Sequence, residues 1–255
     1  MRIKYLALLL LSLVGYSQTV TVNYIEKRII DAKRLEAIPE FARKQALESY
    51  NYILQYNDGV SLYRNNLETL NIESSTEGKS EEDAHSRTES SYKIINRRIE
   101  KWYYKDIRSN ELLFSFYNGK DFYGKDNLLK WDWKIINETK EINGFVCKKA
   151  ISEAFGYYFT AWFTEDIAIN AGPDKFDGLP GLILYLGTAH YEYIVTSVKI
   201  EQKPIPIVKP EMPKETVTMA EVERYVKEGS SKLKSSSATT VNGNTTTTRS
   251  TIIIK

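Results

Sequence analysis

Tyr157-Tyr158-Phe159-Thr160-Ala161-Trp162-Phe163-Thr164, followed after a glycine- and proline-containing link by Leu182-Ile183-Leu184-Tyr185-Leu186, is the stretch on which the fold turns. In its first half Tyr157, Phe159, Ala161 and Phe163 fall on one side of an extended chain, the period of two that marks a strand. The second half is continuously apolar, as expected of a strand covered on both faces. Working outward, Tyr191, Tyr193 and Val195 continue the alternation, and near the start Val20, Val22 and Tyr24 alternate with Thr19, Thr21 and Asn23. Tyr52, Leu54 and Tyr56 lead to Asp58-Gly59, Leu112, Phe114 and Phe116 to Asn118-Gly119, and a further pair stands at Asn143-Gly144. Such dipeptides between alternating residues are tight-hairpin signals, because both turn positions need positive φ. Leu129 to Asn137 reads as another strand, with Leu129, Trp131, Trp133 and Ile135 facing one way. Pro39 suits the first turn of a short helix running to Ser49. The fold class is therefore mainly β: a single curved antiparallel sheet or partly open barrel with one packed helix, plus a C-terminal extension.

The chain of 255 residues carries 35 basic and 33 acidic side chains, with 42 % hydrophobic residues. A domain this long buries roughly 70 % of its unfolded surface, enough to hold without metal or disulfides. At the N-terminus Arg2 and Lys4 precede an apolar run from Tyr5 to Val14, and Gly15-Tyr16-Ser17 supplies small residues where a signal peptidase reads. The expectation is a signal peptide over 1–17 cleaved after Ser17, leaving Gln18 first and placing the protein in the periplasm or outside the cell. The run falls short of the about 20 apolar residues of a membrane span, and no later stretch reaches that length, so the mature chain is expected to have no transmembrane span. Cleavage removes two positive charges, giving 33 against 33. Such a chain gains little from counterion release on a phosphate backbone, so no nucleic-acid partner is expected.

Residues 18–202 read as the β-rich domain, interrupted near 66–91 by a polar stretch that reads as a long mobile loop. Residues 203–234 form an extended arm, with Pro204, Pro206, Pro210 and Pro213, and then a short helix opened by the capping box Thr218-Met219-Ala220-Glu221. Residues 235–255 are almost all Ser, Thr, Asn and Gly up to Ser250 and read as a disordered tail.

Gly172-Pro173-Asp174-Lys175-Phe176-Asp177-Gly178-Leu179-Pro180-Gly181 is a loop whose backbone is largely fixed in advance, since each proline sets its own φ and Pro180 also restricts Leu179. Phe176 and Leu179 either pack inward and plug the end of a barrel or anchor a ligand or partner on a pre-ordered frame. The candidate ligand-binding residues are Trp131, Trp133, Trp162, Phe176, Leu179 and Pro180. No catalytic residue and no metal ligand is assigned, and no cofactor is expected. Two alternatives stay open. One is an envelope enzyme using Glu165, Asp166, Asp174 and Asp177 as acid and base, or the lone thiol Cys147. The other is a metal-handling periplasmic protein, for which only His190 and Cys147 are available; His85 lies in the polar stretch.

Gly178-Leu179-Pro180-Gly181-Leu182-Ile183 resembles the signature of the GLPGLI family of exported proteins, found mainly in Gram-negative bacteria. Supporting motifs occur in order: Gly144-Phe145 with Cys147-Lys148-Lys149-Ala150, then Ala161-Trp162-Phe163-Thr164, then Gly172-Pro173 and Phe176. Ala168 stands where that pattern usually has proline, and Gly156-Tyr157 where it has a basic residue. The resemblance implies a mostly β exported protein, a companion of outer-membrane transport systems, and brings no reaction or catalytic residue. The combined expectation is a non-enzymatic binding or carrier protein of the cell envelope. Its half-barrel of aromatic residues would take a lipid, an apolar peptide or an outer-membrane transport component.

Overall fold

The computed structural model describes residues 18–38, 40–65, 75–80, 90–95, 100–118, 120–232, 238–242 and 245–249. The signal peptide expected over 1–17, and parts of the polar stretch and of the tail, lie outside the described residues. The first half of the chain holds β1 (Thr19–Arg28), α1 (Ala32–Ala37), α2 (Glu40–Ala46), β2 (Ser49–Asn57), β3 (Val60–Asn65), β4 (Ser75–Ser80), β5 (Ser90–Ile95), β6 (Trp102–Asp106), β7 (Glu111–Tyr117) and β8 (Asp121–Asp126). The second holds β9 (Lys134–Ile142), β10 (Phe145–Ala154), β11 (Tyr157–Thr164), β12 (Leu182–Gly187), β13 (Tyr191–Glu201), α3 (Met219–Lys232), β14 (Ala238–Asn242) and β15 (Thr245–Arg249).

Eleven strands form one antiparallel sheet in the order β8-β7-β6-β3-β2-β1-β13-β12-β11-β10-β9, which is not closed into a barrel. β1 is central, and the first and last strands of the sheet's sequence, β1 and β13, are neighbours. Among the described residues β4 and β5 form a separate two-stranded sheet, as do β14 and β15 within the tail. The turns work as their dipeptides require: Asp58 and Gly59 take φ of 43° and 80°, Asn143 and Gly144 of 53° and 83°. A further turn of this kind, at Phe155-Gly156 with φ of 59° and 81°, has no Asn or Asp to announce it.

One core cluster runs from Phe114 and Phe122 on one wing to Ala150 and Phe163 on the other, so both wings wrap around shared apolar contents. A smaller cluster of Leu62, Trp102, Tyr104 and Leu113 is covered by Ile207 and Met212 of the proline-rich arm. The packed helix is α3. The Thr218 backbone N–H donates to the Glu221 carboxylate at 2.7 Å and the Glu221 N–H returns a bond to the Thr218 hydroxyl, while Met219 and Val222 enter the core. The chain from Pro39 forms the short α2 rather than a helix to Ser49, and α1 before it buries nothing.

Both outer edges of the sheet are blunted. β8 exchanges backbone bonds with Val217, which accepts from Lys125 and donates to Tyr123. On β9, Ile136 pairs with Lys149 and Thr139 with the adjacent Lys148, so Asn137 and Glu138 bulge out of register. A bulge flanked by charged residues discourages addition of another strand.

The strand expected over Leu129–Asn137 is corrected. Residues 127–133 are not strand, and β9 begins only at Lys134. The Trp133 N–H donates to the Trp131 carbonyl at 2.9 Å, which folds the chain back on itself. The Trp133 indole N–H donates to the Asp177 carbonyl at 2.7 Å. These bonds tie the tryptophan segment to the loop before β12 instead of to a neighbouring strand.

Candidate functional site

The loop between β11 and β12 lies over the inward face of the sheet. Its shape comes from glycines that have no room for a side chain. A Cβ on Gly181 would lie 2.0 Å from the Thr164 carbonyl oxygen, and one on Gly172 would lie 2.7 Å from Ile183 Cδ1. Gly178, at φ of 87°, gives its N–H to the Asn170 side chain, and Asp174 takes a left-handed φ of 54°. The result aims two carboxylates, Asp174 and Asp177, down into the protein.

Each meets a lysine from the β6 region. Lys101, Tyr103 and Lys105 share a face by the two-residue period of a strand. Lys101 Nζ lies 2.8 Å from Asp174 Oδ2 and 2.6 Å from Glu26 Oε2 on β1. Around this ammonium stand the rings of Tyr52, Tyr193 and Tyr103, with centroids 5.1, 5.6 and 6.0 Å away. The Tyr193 hydroxyl donates to Asp174 Oδ2 at 3.0 Å, and the Lys175 N–H donates to Oδ1 at 2.7 Å. Lys105, with 2 % of its surface exposed, donates to the Phe176 carbonyl at 2.5 Å. It stands 3.5 Å from Asp177 Oδ2, an oxygen that is buried and makes no hydrogen bond.

The two pairs differ electrically. Burial pulls Lys101 down and Asp174 up, but their mutual charge, with Glu26 and Lys175 adding, outweighs it: Lys101 is held above its ordinary range and Asp174 below. Burial pushes Glu26 up against the pull of Lys101. For Lys105 and Asp177 burial wins, lowering the amine and raising the acid. In the first pair attraction outweighs burial; in the second burial works against the charge on both partners.

Of the six candidate ligand-binding residues, Trp131, Trp133, Phe176 and Leu179 come together. The Trp131 and Phe176 ring centroids are 4.5 Å apart, Phe159 lies 5.4 Å from Trp131, and Trp131, Phe176 and Leu179 are buried. These rings occupy the space over this part of the sheet. Trp162 points the other way from Ala161 and Phe163, with the Lys140 ammonium 4.2 Å above its ring, and Pro180 is exposed. An open groove lies elsewhere, between β8 and α3, beside Phe122 and Tyr225.

Among the residues weighed for catalysis, Glu165 is exposed and paired with Lys148 at 2.6 Å, and Asp166 is exposed. No cluster of metal-ligating side chains occurs among the described residues, and His190 is exposed beside the Tyr157 ring. Cys147 is buried, and burial pushes its thiol up to about 11. Since only the thiolate reacts, Cys147 should resist an aromatic disulfide reagent at pH 8 and titrate fully once guanidinium unfolds the chain. Stoichiometric labelling of the folded protein would contradict this placement. Sequence reasoning missed Glu26, Lys101 and Lys105. The available signal was charge at inward positions: Glu26 continues the Val20-Val22-Tyr24 series, and Lys101 and Lys105 flank Tyr103.

Residues 156–185 match a family described as "Protein of unknown function (Porph_ging)", a short segment running from the Phe155-Gly156 turn into β12. No curated protein matches the chain. Two solved structures, "Structure of PNGF-II in P21 space group" and "Structure of PNGF-II in C2 space group", are each similar at 17 % identity and a TM-score of 0.47. The likeness covers 88 % of this chain and 35 % of theirs, so the chain spans about a third of their length.

Proposed function

We propose that this chain is a GLPGLI-type protein exported to the cell envelope and that it acts by binding, not catalysis, gripping a partner protein with the tip of the β10–β11 hairpin. One observation carries the reading. At that tip Phe155 holds a left-handed φ of 59°, costly for a bulky side chain, and Phe155, Tyr157 and Tyr158 follow one another within four residues, all exposed, Tyr158 to 75 %. The Trp131 ring meets Phe155 edge-on at 6.0 Å, so the candidate residues Trp131 and Phe176 brace the tip from beneath. Rigid, exposed aromatic side chains give large contact area at little entropic cost. The filled space around Trp131 favours an apolar peptide or an outer-membrane transport component over an enclosed lipid. The burial of Asp174 and Asp177, and the raised thiol of Cys147, speak against chemistry on an outside substrate at the loop.

The test is a photo-crosslinking amino acid placed at Tyr158 in the full chain, in its own cells, with the same group at Lys199 on β13 as control. A discrete adduct at 158, absent at 199 and lost with Phe155→Ser, supports the reading; equal labelling at both positions, or none at 158, ends it. Tyr158→Ser should leave Tm unchanged, as exposed substitutions do. Sequencing the N-terminus of the exported protein should return Gln18.

A further inference from the structure

We propose that Lys101 and Asp174 condense with each other to form an intramolecular amide crosslink, with Glu26 as the proton carrier. The geometry is that of two reactants already held together. Lys101 Nζ is 2.8 Å from a carboxylate oxygen of Asp174, and a second carboxylate, Glu26, lies 2.6 Å from the same nitrogen. Contacts of about 3 Å in fixed orientation replace a bimolecular encounter and remove much of its barrier.

The cluster divides the roles between the two acids. Asp174 accepts the Tyr193 hydroxyl on Oδ2 and the Lys175 N–H on Oδ1, so both its oxygens face donors that polarise the carboxyl and stabilise charge developing on it during attack. Glu26 accepts directly from the amine, at 2.6 Å, which suits it to take and return a proton. The tyrosine rings around the ammonium keep bulk water from the reacting atoms.

The step balances without a co-reactant. At rest the pair is held charged, so the reactive form is its minor tautomer, in which one proton has passed from Lys101 to Asp174 and left a neutral amine beside a protonated acid. The Lys101 nitrogen lone pair attacks Asp174 Cγ, forming the C–N bond. Glu26 removes a proton from that nitrogen and delivers it to the departing Asp174 oxygen, the C–O bond breaks, and one water leaves. An ammonium and a carboxylate become an amide and water, with no change in oxidation state. Lys105 and Asp177 are the internal contrast: Nζ is 3.5 Å from Asp177 Oδ2, that oxygen receives no donor, and the ammonium is bonded to the Phe176 carbonyl. No crosslink is expected there.

Intact-mass measurement of the folded, full chain decides the matter. The expected mass is lighter than the sequence requires by one water. Peptide mapping should yield one branched peptide joining Lys101 to Asp174, stable to neutral hydroxylamine. A succinimide at Asp58-Gly59 or Asp177-Gly178 gives the same loss but is opened by that reagent. Full mass, or a loss that maps elsewhere, overturns the proposal. Glu26→Gln, folded by circular dichroism, should return to full mass, and a crosslink formed equally well in this variant would overturn the role given to Glu26. If that variant does not fold, the wild-type map alone still decides.

Discussion

Lys105→Met is expected to destabilise the protein by about 3–5 kcal/mol at neutral pH, because it leaves one charge of a buried pair without its partner. For a chain of this size that corresponds to a fall in Tm of roughly 10 °C. Lys105 and Asp177 are 2 % and 5 % exposed, so water cannot replace the missing ammonium. The Phe176 carbonyl also loses its donor, a further cost for a buried acceptor. The sign of the pH response is fixed by Asp177. Burial already raises its carboxyl against the opposing pull of Lys105, and in the variant that pull is gone. An acid whose folded pKa lies above its unfolded value of about 3.9 carries its penalty in full above the folded pKa, and sheds it as pH falls through that value. Lys105→Met should therefore gain stability relative to wild type as the pH is lowered from 7 towards 5. The double variant Lys105→Met/Asp177→Leu should regain the electrostatic part of the loss at pH 7, since an apolar pair of similar volume commonly matches a buried ion pair. Urea melts at pH 7 and pH 5 measure all of this. An unchanged midpoint for Lys105→Met, or a loss with no pH dependence, would show that Asp177 reaches solvent.

The period of two carried most of the fold into view, because each half-buried strand repeats the same choice at every second residue. Val20, Val22 and Tyr24, or Tyr157, Phe159, Ala161 and Phe163, leave little freedom in which face is buried. Asp58-Gly59 and Asn143-Gly144 then fixed two hairpins through their left-handed dihedral angles. The same rule misread Trp131 and Trp133. Alternation says only that two side chains share a side, and the folded-back bond between Trp133 and Trp131 satisfies that without a strand. The charged cluster was hidden for a different reason. Glu26, Lys101 and Asp174 lie far apart in the chain, and their meeting depends on which strands become neighbours and where the loop before β12 comes down. Periodicity could have marked Glu26 and Lys105 as charges at inward positions, each needing a partner. It could not have named the partner. Phe155 at the hairpin tip escaped because a bulky aromatic is a poor advertisement for a left-handed turn.

A second large effect is expected at the glycine that ends the loop. Gly181→Ala should cost at least the roughly 3 kcal/mol at the upper end for overpacked sites, and more than Gly178→Ala, although Gly178 is the one with positive φ. The reason is what each added methyl group would meet. At Gly178 the nearest atoms are carbon and nitrogen of the Trp133 indole at 3.5 Å, ordinary contact, so the penalty is the left-handed backbone itself, about 1–2 kcal/mol. At Gly181 the new carbon would stand 2.0 Å from the Thr164 carbonyl oxygen and 2.7 Å from its carbon. Those are main-chain atoms at the end of β11 and cannot rotate aside as a side chain would. Relief requires moving β11 and the start of β12 apart, and that strains the Leu182–Thr164 pairing and the bond from the Leu182 N–H to the Ile167 carbonyl. Displacement of the loop would also draw Asp174 from Lys101 and Asp177 from Lys105, so the steric cost and the electrostatic one should appear together. Denaturant unfolding of the two variants side by side tests the ranking. Equal losses, or a larger loss for Gly178→Ala, would mean that backbone conformation and not close approach to Thr164 is what requires glycine at the end of this loop.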